Sequence, residues 1–374
     1  MNSYSTEQLV QGISAWVSHE SPSHDTARVA SMMSMAHDLA VSLGLRAEIR
    51  SLGESAPPLL YVTNRANNDQ RPGILIIAHL DTVHPVGTVN DNPVRIEEDR
   101  LYGPGIYDMK AGAYLALLAL GDYAESRTPL PVDYLFSPDE EIGSHASREA
   151  IEQFARTARY VLVTEPARPN GGRCVTERKG TGSLKVVVKG RPAHAGMQHE
   201  RGRNAIKEMA HQVIALEALT DYSRGITVSV GTIKGGTVTN VVPSHCEIIA
   251  DFRVPDQQAS DWLVEQFKAL KPVDPDCQLQ VDIELNRPPM TRGAATADLV
   301  ARAQACATRA GFVLEEAPMT GGGSDANFTA ALGVPTIDGL GADGDGAHTL
   351  KEHVLISTLG KRLDFWRYLL ADLT

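Results

Sequence analysis

His79 and Asp81 stand two residues apart in the stretch GILIIAHLDTVHPVG, Gly73 to Gly87. At that spacing the two side chains can serve one metal ion together. One ligates, and the other accepts a hydrogen bond from the ligand's second ring nitrogen. The apolar run Ile74 to Ala78 that precedes them reads as a strand buried on both faces of a sheet. Parallel sheets place ligand sites just past the C-terminal ends of their strands.

Three further segments put an acid in the same kind of place. Asp108 lies in RLYGPGIYDMKAG, among Gly103, Pro104, Gly105 and Gly112, at or just before the N-terminus of a predicted helix, AGAYLALLALGDYAES. An aspartate there is an N-cap or, taken with its neighbours, a ligand. Glu140 and Glu141 end VDYLFSPDEEIGS, after a predicted strand from Val132 to Phe136 and before a predicted helix from Ser147 to Ala158. Such a run of acids is a solvated loop, or one glutamate binds metal while its neighbour handles protons. Glu165 follows the apolar strand of YVLVTEPAR. Chance explains one such strand–loop unit easily and four poorly. Alternating strands and helices imply a mostly parallel sheet, whose C-terminal edge would collect these side chains.

His348, in the Gly-rich GLGADGDGAHTLKEHV, completes a candidate set with His79, Asp108, Glu141 and Glu165. Two histidines and three carboxylates furnish one bridging carboxylate, plus one histidine and one carboxylate for each of two metals, with a position left open for water. Glu140, beside a ligand, would take that water's proton. The absence of cysteine from the set suits an open catalytic site.

Between Glu177 and Thr296 the pattern changes to β-α-β-β-α-β, a self-contained α+β unit of ferredoxin-like order, after which the α/β pattern resumes. The expected organisation is an α/β catalytic domain in two pieces, 1–177 and 289–374, with a mostly parallel sheet and helices on both faces. A lid or dimerisation domain, 178–288, is inserted into it. A chain of 374 residues exceeds one hydrophobic core, in keeping with two domains. A net charge of -11 argues against nucleic acid or an anionic membrane as the main partner. There is no signal-peptide pattern at the N-terminus and no apolar run near the ~20 residues that span a bilayer. The four cysteines form no CxxC pair, and a reduced, cytoplasmic setting is expected.

AHLDTVHPVG, GPGIYDMKAG, SPDEEIGS, VTEPA and GGGSDAN, taken together and in this order, resemble the motifs of the dizinc aminoacylase/glutamate-carboxypeptidase family. That family includes acetylornithine deacetylase and succinyl-diaminopimelate desuccinylase. The GPGI-DMKAG and GGGSDAN forms look closest to its bacterial glutamate carboxypeptidase branch, which cuts folate-like C-terminal glutamates. The resemblance implies two Zn²⁺ per chain, with Co²⁺ or Mn²⁺ as substitutes. Asp108 would bridge them, His79 and Glu165 would complete one site, and Glu141 and His348 the other. Asp81 would orient His79, and Glu140 would be general base and then acid.

It further implies a homodimer formed through the inserted domain. His194 of PAHAG would reach across the interface to the oxyanion. Asn240 of TNVVP, Arg253 of DFRVP, Arg287 of NRPPM and the backbone at Gly322 and Gly323 would hold substrate. That substrate would be a small N-acyl amino acid or short peptide. Read without the family, Arg253 is a salt-bridge residue, His194 a surface-loop histidine, and Asp325 an N-cap as readily as a substrate contact. His84 reads as a structural loop histidine, and His353 as solvated.

Overall fold

The computed structural model describes residues 4–124 and 130–373. Glu125 and Ser126, the last two residues of the predicted helix AGAYLALLALGDYAES, lie outside the described residues. The chain forms two compact units: Met1–Glu177 with Thr291–Thr320 and Ser324–Thr374, and Arg178–Met290 with Gly321–Gly323.

The first unit holds a six-stranded sheet: β1 (Arg46–Arg50), β2 (Leu59–Thr63), β3 (Gly73–His79), β4 (Val132–Ser137), β5 (Ala158–Val163) and β6 (Thr336–Ile337). Their spatial order is β1-β2-β4-β3-β5-β6. β3 runs parallel to β4 and β5, and β6 parallel to β5; only β2 runs against the rest. All seven residues of β3 are buried. Successive strand side chains point to opposite faces, so β3 is covered on both. Helix Ala111–Ala124 is buried nearly all round, as its unbroken Ala/Leu sequence requires. It begins hard against the sheet: a Cβ on Gly112 would stand 2.7 Å from both the Gly341 Cα and the Thr164 carbonyl oxygen.

A small antiparallel sheet joins Arg95–Glu97 and Arg100–Tyr102 to Gly344–Asp345 and His353–Leu355, with Tyr102 opposite His353. It ties the segment leading to Asp108 to the segment around His348. Local structure departs from expectation in two places. The helix predicted from Ser147 to Ala158 spans Arg148–Ala155, because Ala158 already opens β5. Asp108 caps no helix: it lies inside an irregular turn, Ile106–Lys110, with non-helical φ/ψ of -113° and 92°.

The second unit is a four-stranded antiparallel sheet carrying helices Ala205–Glu217 and Gln257–Lys268. Strand His245–Val254 alternates strictly. Cys246, Ile248, Ala250, Phe252 and Val254 are buried with Met209, Leu216, Leu263 and Phe267 of the helices, and Arg253 is on the other face. The boundary expected at 288/289 falls at 290/291, because Arg178 and Met290 exchange two backbone hydrogen bonds. Gly321–Gly323, expected in the catalytic domain, belongs to the second unit. Arg178 donates to the Gly322 carbonyl at 2.9 Å, Arg253 donates to the Gly321 carbonyl at 3.3 Å, and Gly323 lies against the Arg287 side chain. Among the described residues no helix is long and apolar enough to cross a membrane.

Candidate metal centre

Strand register delivers the first groups. His79 is the last residue of β3, level with Ser137 at the end of β4. Glu140 and Glu141 follow β4, and Glu165 stands two residues past β5. Three neighbouring parallel strands therefore release these side chains at the same sheet edge.

Polar contacts then fix each group. His79 Nδ1 is 2.9 Å from the Asp81 carbonyl oxygen and 3.5 Å from its Oδ1. That carbonyl can only accept, so Nδ1 carries the proton and Nε2 faces the acids. The Asp81 carboxylate accepts the N–H groups of Glu140 and Glu141, each at 3.1 Å, and the Ser23 hydroxyl at 2.7 Å. Asp81 therefore anchors the glutamate turn as well as lying beside His79. Asp139 holds the far end of that turn, accepting from Ser147 Oγ at 2.6 Å and the Ala146 N–H at 2.7 Å. Asp325, expected as a cap or a substrate contact, makes no cap hydrogen bond; its buried carboxylate accepts from Ser137 Oγ at 2.8 Å and from Ser144 Oγ.

Asp108 lies between two halves of the cluster. Its Oδ1 is 3.1 Å from His79 Nε2, which is itself 3.9 Å from Glu165 Oε1. Its Oδ2 is 3.3 Å from His348 Nε2, which is 3.2 Å from Glu141 Oε2. Ligand atoms of His79, Glu140 and Glu165 all lie within 4.8 Å of one another, as do those of His79, Asp108 and Glu141.

Crowding of acids in a buried place sets the electrostatics. Burial, with Asp108 and Glu140 nearby, holds the Glu165 carboxyl well above the ordinary glutamate range. Burial and the Asp108 charge raise Glu141 as well. Burial works against ionisation of Asp108 too, but contacts from His348 and His79 carry its carboxyl well below the usual range. The Asp108 and Glu141 carboxylates push His348 up to about 10. For His79, burial is outweighed by Asp108 and Asp81, and the imidazole is raised.

A divalent cation fits this donor set. Three carboxylates, Asp108, Glu141 and Glu165, and two imidazole nitrogens are the kinds of ligand that zinc and similar ions take. Glu141 Oε1 is buried and has no hydrogen-bond partner, a state that costs about 1–3 kcal/mol when no cation is near.

Other predicted residues lie in the second unit. His194 is exposed, pairs in a bridge with Val241, and accepts at Nδ1 from the Gly196 and Met197 N–H groups, both at 3.2 Å. Asn240 is its neighbour, through a 2.9 Å bond from the Ala195 N–H to the Asn240 carbonyl. Arg253 is held by Asp251 at 2.7 and 2.8 Å, and Arg287 is buried. The sequence reading missed Arg178, which joins these two arginines around Gly321–Gly323, and Glu352. Glu352 grips backbone N–H groups, which leave no trace in side-chain spacing; its place four residues after His348 was the one available hint.

Residues 75–372 match the model of "Peptidase family M20/M25/M40". The chain is 32% identical to carboxypeptidase G2 of Pseudomonas sp. (strain RS-16) over 305 residues, covering 80% of this chain and 74% of that one. It is 27% identical to succinyl-diaminopimelate desuccinylase of Dechloromonas aromatica (strain RCB) over 328 residues, 81% of this chain and 84% of that one. In fold it is similar to the aminopeptidase PepT of Bacillus cereus ATCC 10987, with a TM-score of 0.78 and 23% identity over 99% of each chain. The sequence match spans both the centre and the segments that support it, and the chain belongs to peptidase family M20/M25/M40, a metallopeptidase and a hydrolase.

Proposed function

We propose that this hydrolase cleaves an amide bond next to a free carboxylate, as a glutamate carboxypeptidase acting on N-acyl or folate-like conjugates. The observation that carries the reaction type is Asp108, whose two oxygens face separate histidine–glutamate pairs: His79 with Glu165, and His348 with Glu141. Those five residues would hold two divalent ions, zinc by the donor set. When bound, the ions supply Lewis acidity for the scissile carbonyl and lower the pKa of water toward ~7.

The chain's own groups do the rest. Glu140, its N–H tied to Asp81, takes the proton of the attacking water and passes it to the leaving amine. Asp81 keeps His79 Nε2 aimed at Asp108 and keeps the glutamate turn in place. His194 and Asn240 are assigned to oxyanion and substrate binding, and two copies of the chain form the working assembly. Arg253, Arg287 and the Gly322–Gly323 backbone are assigned to the substrate carboxylate, since a guanidinium pairs with a carboxylate through two parallel N–H bonds. The likeness to carboxypeptidase G2 supports glutamate as the released residue. Four cysteines, all free and buried, suit a reducing, cytoplasmic setting. The likeness to a desuccinylase supports a second reading, N-acyl amino-acid deacylation.

The test is a hydrolysis panel on zinc-loaded protein with and without chelator: N-acyl-glutamates, folate-type conjugates, other N-acyl amino acids and dipeptides. Chelator-sensitive glutamate release, with little activity on neutral amino acids, supports the carboxypeptidase. Preference for one acyl group whatever the amino acid supports the deacylase. Turnover that survives complete metal removal would refute both.

A further inference from the structure

Glu352, a fully buried carboxylate near the centre, is given no part in the proposed function. Glu352 has no solvent exposure. Its Oε1 accepts the N–H groups of Tyr107 at 2.8 Å and Asp108 at 2.9 Å. Its Oε2 accepts the Gly105 N–H at 2.9 Å and faces His84 Nε2 at 2.8 Å. An ionised carboxylate can only accept, so His84 Nε2 carries the proton of that bond. One side chain thus gathers three backbone donors from a four-residue stretch that ends on Asp108.

That stretch is only partly held by its own backbone, through the Ile106 N–H on the Gly103 carbonyl at 3.3 Å and the Lys110 N–H on the Gly105 carbonyl at 3.1 Å. Gly105 adopts φ +70°, where a Cβ would also meet the Thr82 methyl at 2.5 Å, and Asp108 is non-helical. Neither the Tyr107 nor the Asp108 N–H has a carbonyl partner in the irregular turn; both end on Glu352. Glu352 is in turn tied to the segment that carries His348. Its N–H donates to the Thr349 carbonyl at 3.2 Å, its own carbonyl accepts from the Gly103 N–H at 3.2 Å, and the next residue, His353, pairs with Tyr102. The carboxylate therefore sits at the junction of the two loops whose side chains meet as Asp108 Oδ2 and His348 Nε2, 3.3 Å apart.

We infer that Glu352, supported by His84, is a positioning residue for the dinuclear centre: it sets the backbone of Asp108 against the His348 loop and so fixes the geometry in which Asp108 faces both half-sites. The inference rests on the metal-centre reading. Glu352 is not one of the five proposed ligands and acts through the backbone of the turn that carries Asp108. Glu352→Gln isolates this role. The amide oxygen keeps one side's donors, while the NH₂ group faces fixed backbone N–H groups on the other, Gly105 or Tyr107 and Asp108; His84 can change tautomer and accept. The resulting strain falls on Gly105 or on Tyr107 and Asp108, and in either case on the turn that orients Asp108.

The experiment uses full-length wild type, Glu352→Gln and His84→Ala, each depleted of metal. Zn²⁺ is titrated calorimetrically and Co²⁺ by visible absorption, and the thermal midpoint of each metal-free protein is recorded. Wild type is expected to take two ions. Glu352→Gln should bind at least one of them about 10–100-fold more weakly, the range typical when a group supporting a metal ligand is removed, with an altered cobalt spectrum. His84→Ala, which leaves all three backbone donors on Glu352, should show a smaller loss in the same direction. Wild-type affinities and an unchanged cobalt spectrum in folded Glu352→Gln overturn the inference, even if the thermal midpoint falls, because Glu352 is then only structural. Should Glu352→Gln not fold, unaltered metal binding by His84→Ala overturns it. If wild type itself binds no divalent ion, the metal-centre reading fails and takes this inference with it; two ions bound equally by wild type and variant overturn the inference alone.

Discussion

Glu140 and Glu141 are adjacent and chemically alike, yet the fold gives them different surroundings. Glu141 Oε2 lies 3.2 Å from His348, and its Oε1 is buried without a partner, the situation of a ligand. Glu140 has its backbone on Asp81, and its ligand atom lies within 4.8 Å of those of His79 and Glu165, close enough to serve a water between the half-sites. Glu140→Gln keeps the shape and removes the proton acceptor. Metal content should stay at the wild-type level while kcat falls by about 10²–10⁴, the usual worth of a positioned general base. Metal analysis alongside steady-state kinetics checks both halves, and wild-type turnover would remove Glu140 from this role.

Close packing between helix and sheet sets where Glu165 stands. At Gly112 an added methyl group gains about 1 kcal/mol of helix propensity. It also meets backbone at Gly341 and Thr164, both 2.7 Å away, and such overpacking costs about 1–3 kcal/mol. The clash outweighs the propensity, and Thr164 is the residue before Glu165. Gly112→Ala should lower the thermal midpoint and weaken zinc binding together; an unchanged zinc affinity would show that the shift stops short of Glu165.

In the second unit, Glu208 plays a comparable structural part. Its buried carboxylate accepts the Val273 and Asp274 N–H groups, both at 2.9 Å, and the Gln212 amide at 2.7 Å. Burial alone would raise its pKa; these bonds more than offset that, and the folded-state value is lowered. A lowered carboxyl pKa gives stability that is present above the unfolded value, near 4.3, and is lost as pH falls through the folded value. Glu208→Gln should therefore cost about 1–3 kcal/mol at neutral pH and less in acid. Urea unfolding at pH 7 and at pH 3 measures the difference, and an equal effect at both would contradict the linkage.

Across the molecule, a net charge of -11 coexists with an arginine group, Arg178, Arg253 and Arg287, gathered around Gly321–Gly323 in one unit. Overall charge thus gives no guide to the charge of the ligand. Assembly is testable at this level as well. If His194 serves the partner's site, His194→Ala chains and Glu140→Gln chains, each inactive alone, should recover roughly a quarter of wild-type activity when mixed at equal amounts and allowed to exchange, since half the dimers then carry one complete site. No recovery in chains shown by sedimentation to exchange would place His194 in its own chain's service or in none.

The resemblance of its motifs was enough to identify the family, and residue types with their local period marked the strand ends that carry His79, Glu140, Glu141 and Glu165. The signal is an unbroken apolar run followed by an acid or histidine. Whatever depends on backbone groups, or on residues far apart in the chain, emerged only in the fold. Sequence leaves Asp108 as a helix cap or a ligand, and nothing in it shows that its N–H ends on Glu352, 244 residues away. Asp325 reads as a cap or a substrate contact until its carboxylate is seen on Ser137 and Ser144, more than 180 residues away. The segment 321–323 reads as part of the α/β domain until Arg178, Arg253 and Arg287 are seen around it. A backbone donor is the same at every residue and leaves no mark in the sequence, so which carboxylate it meets is settled only when the chain has folded.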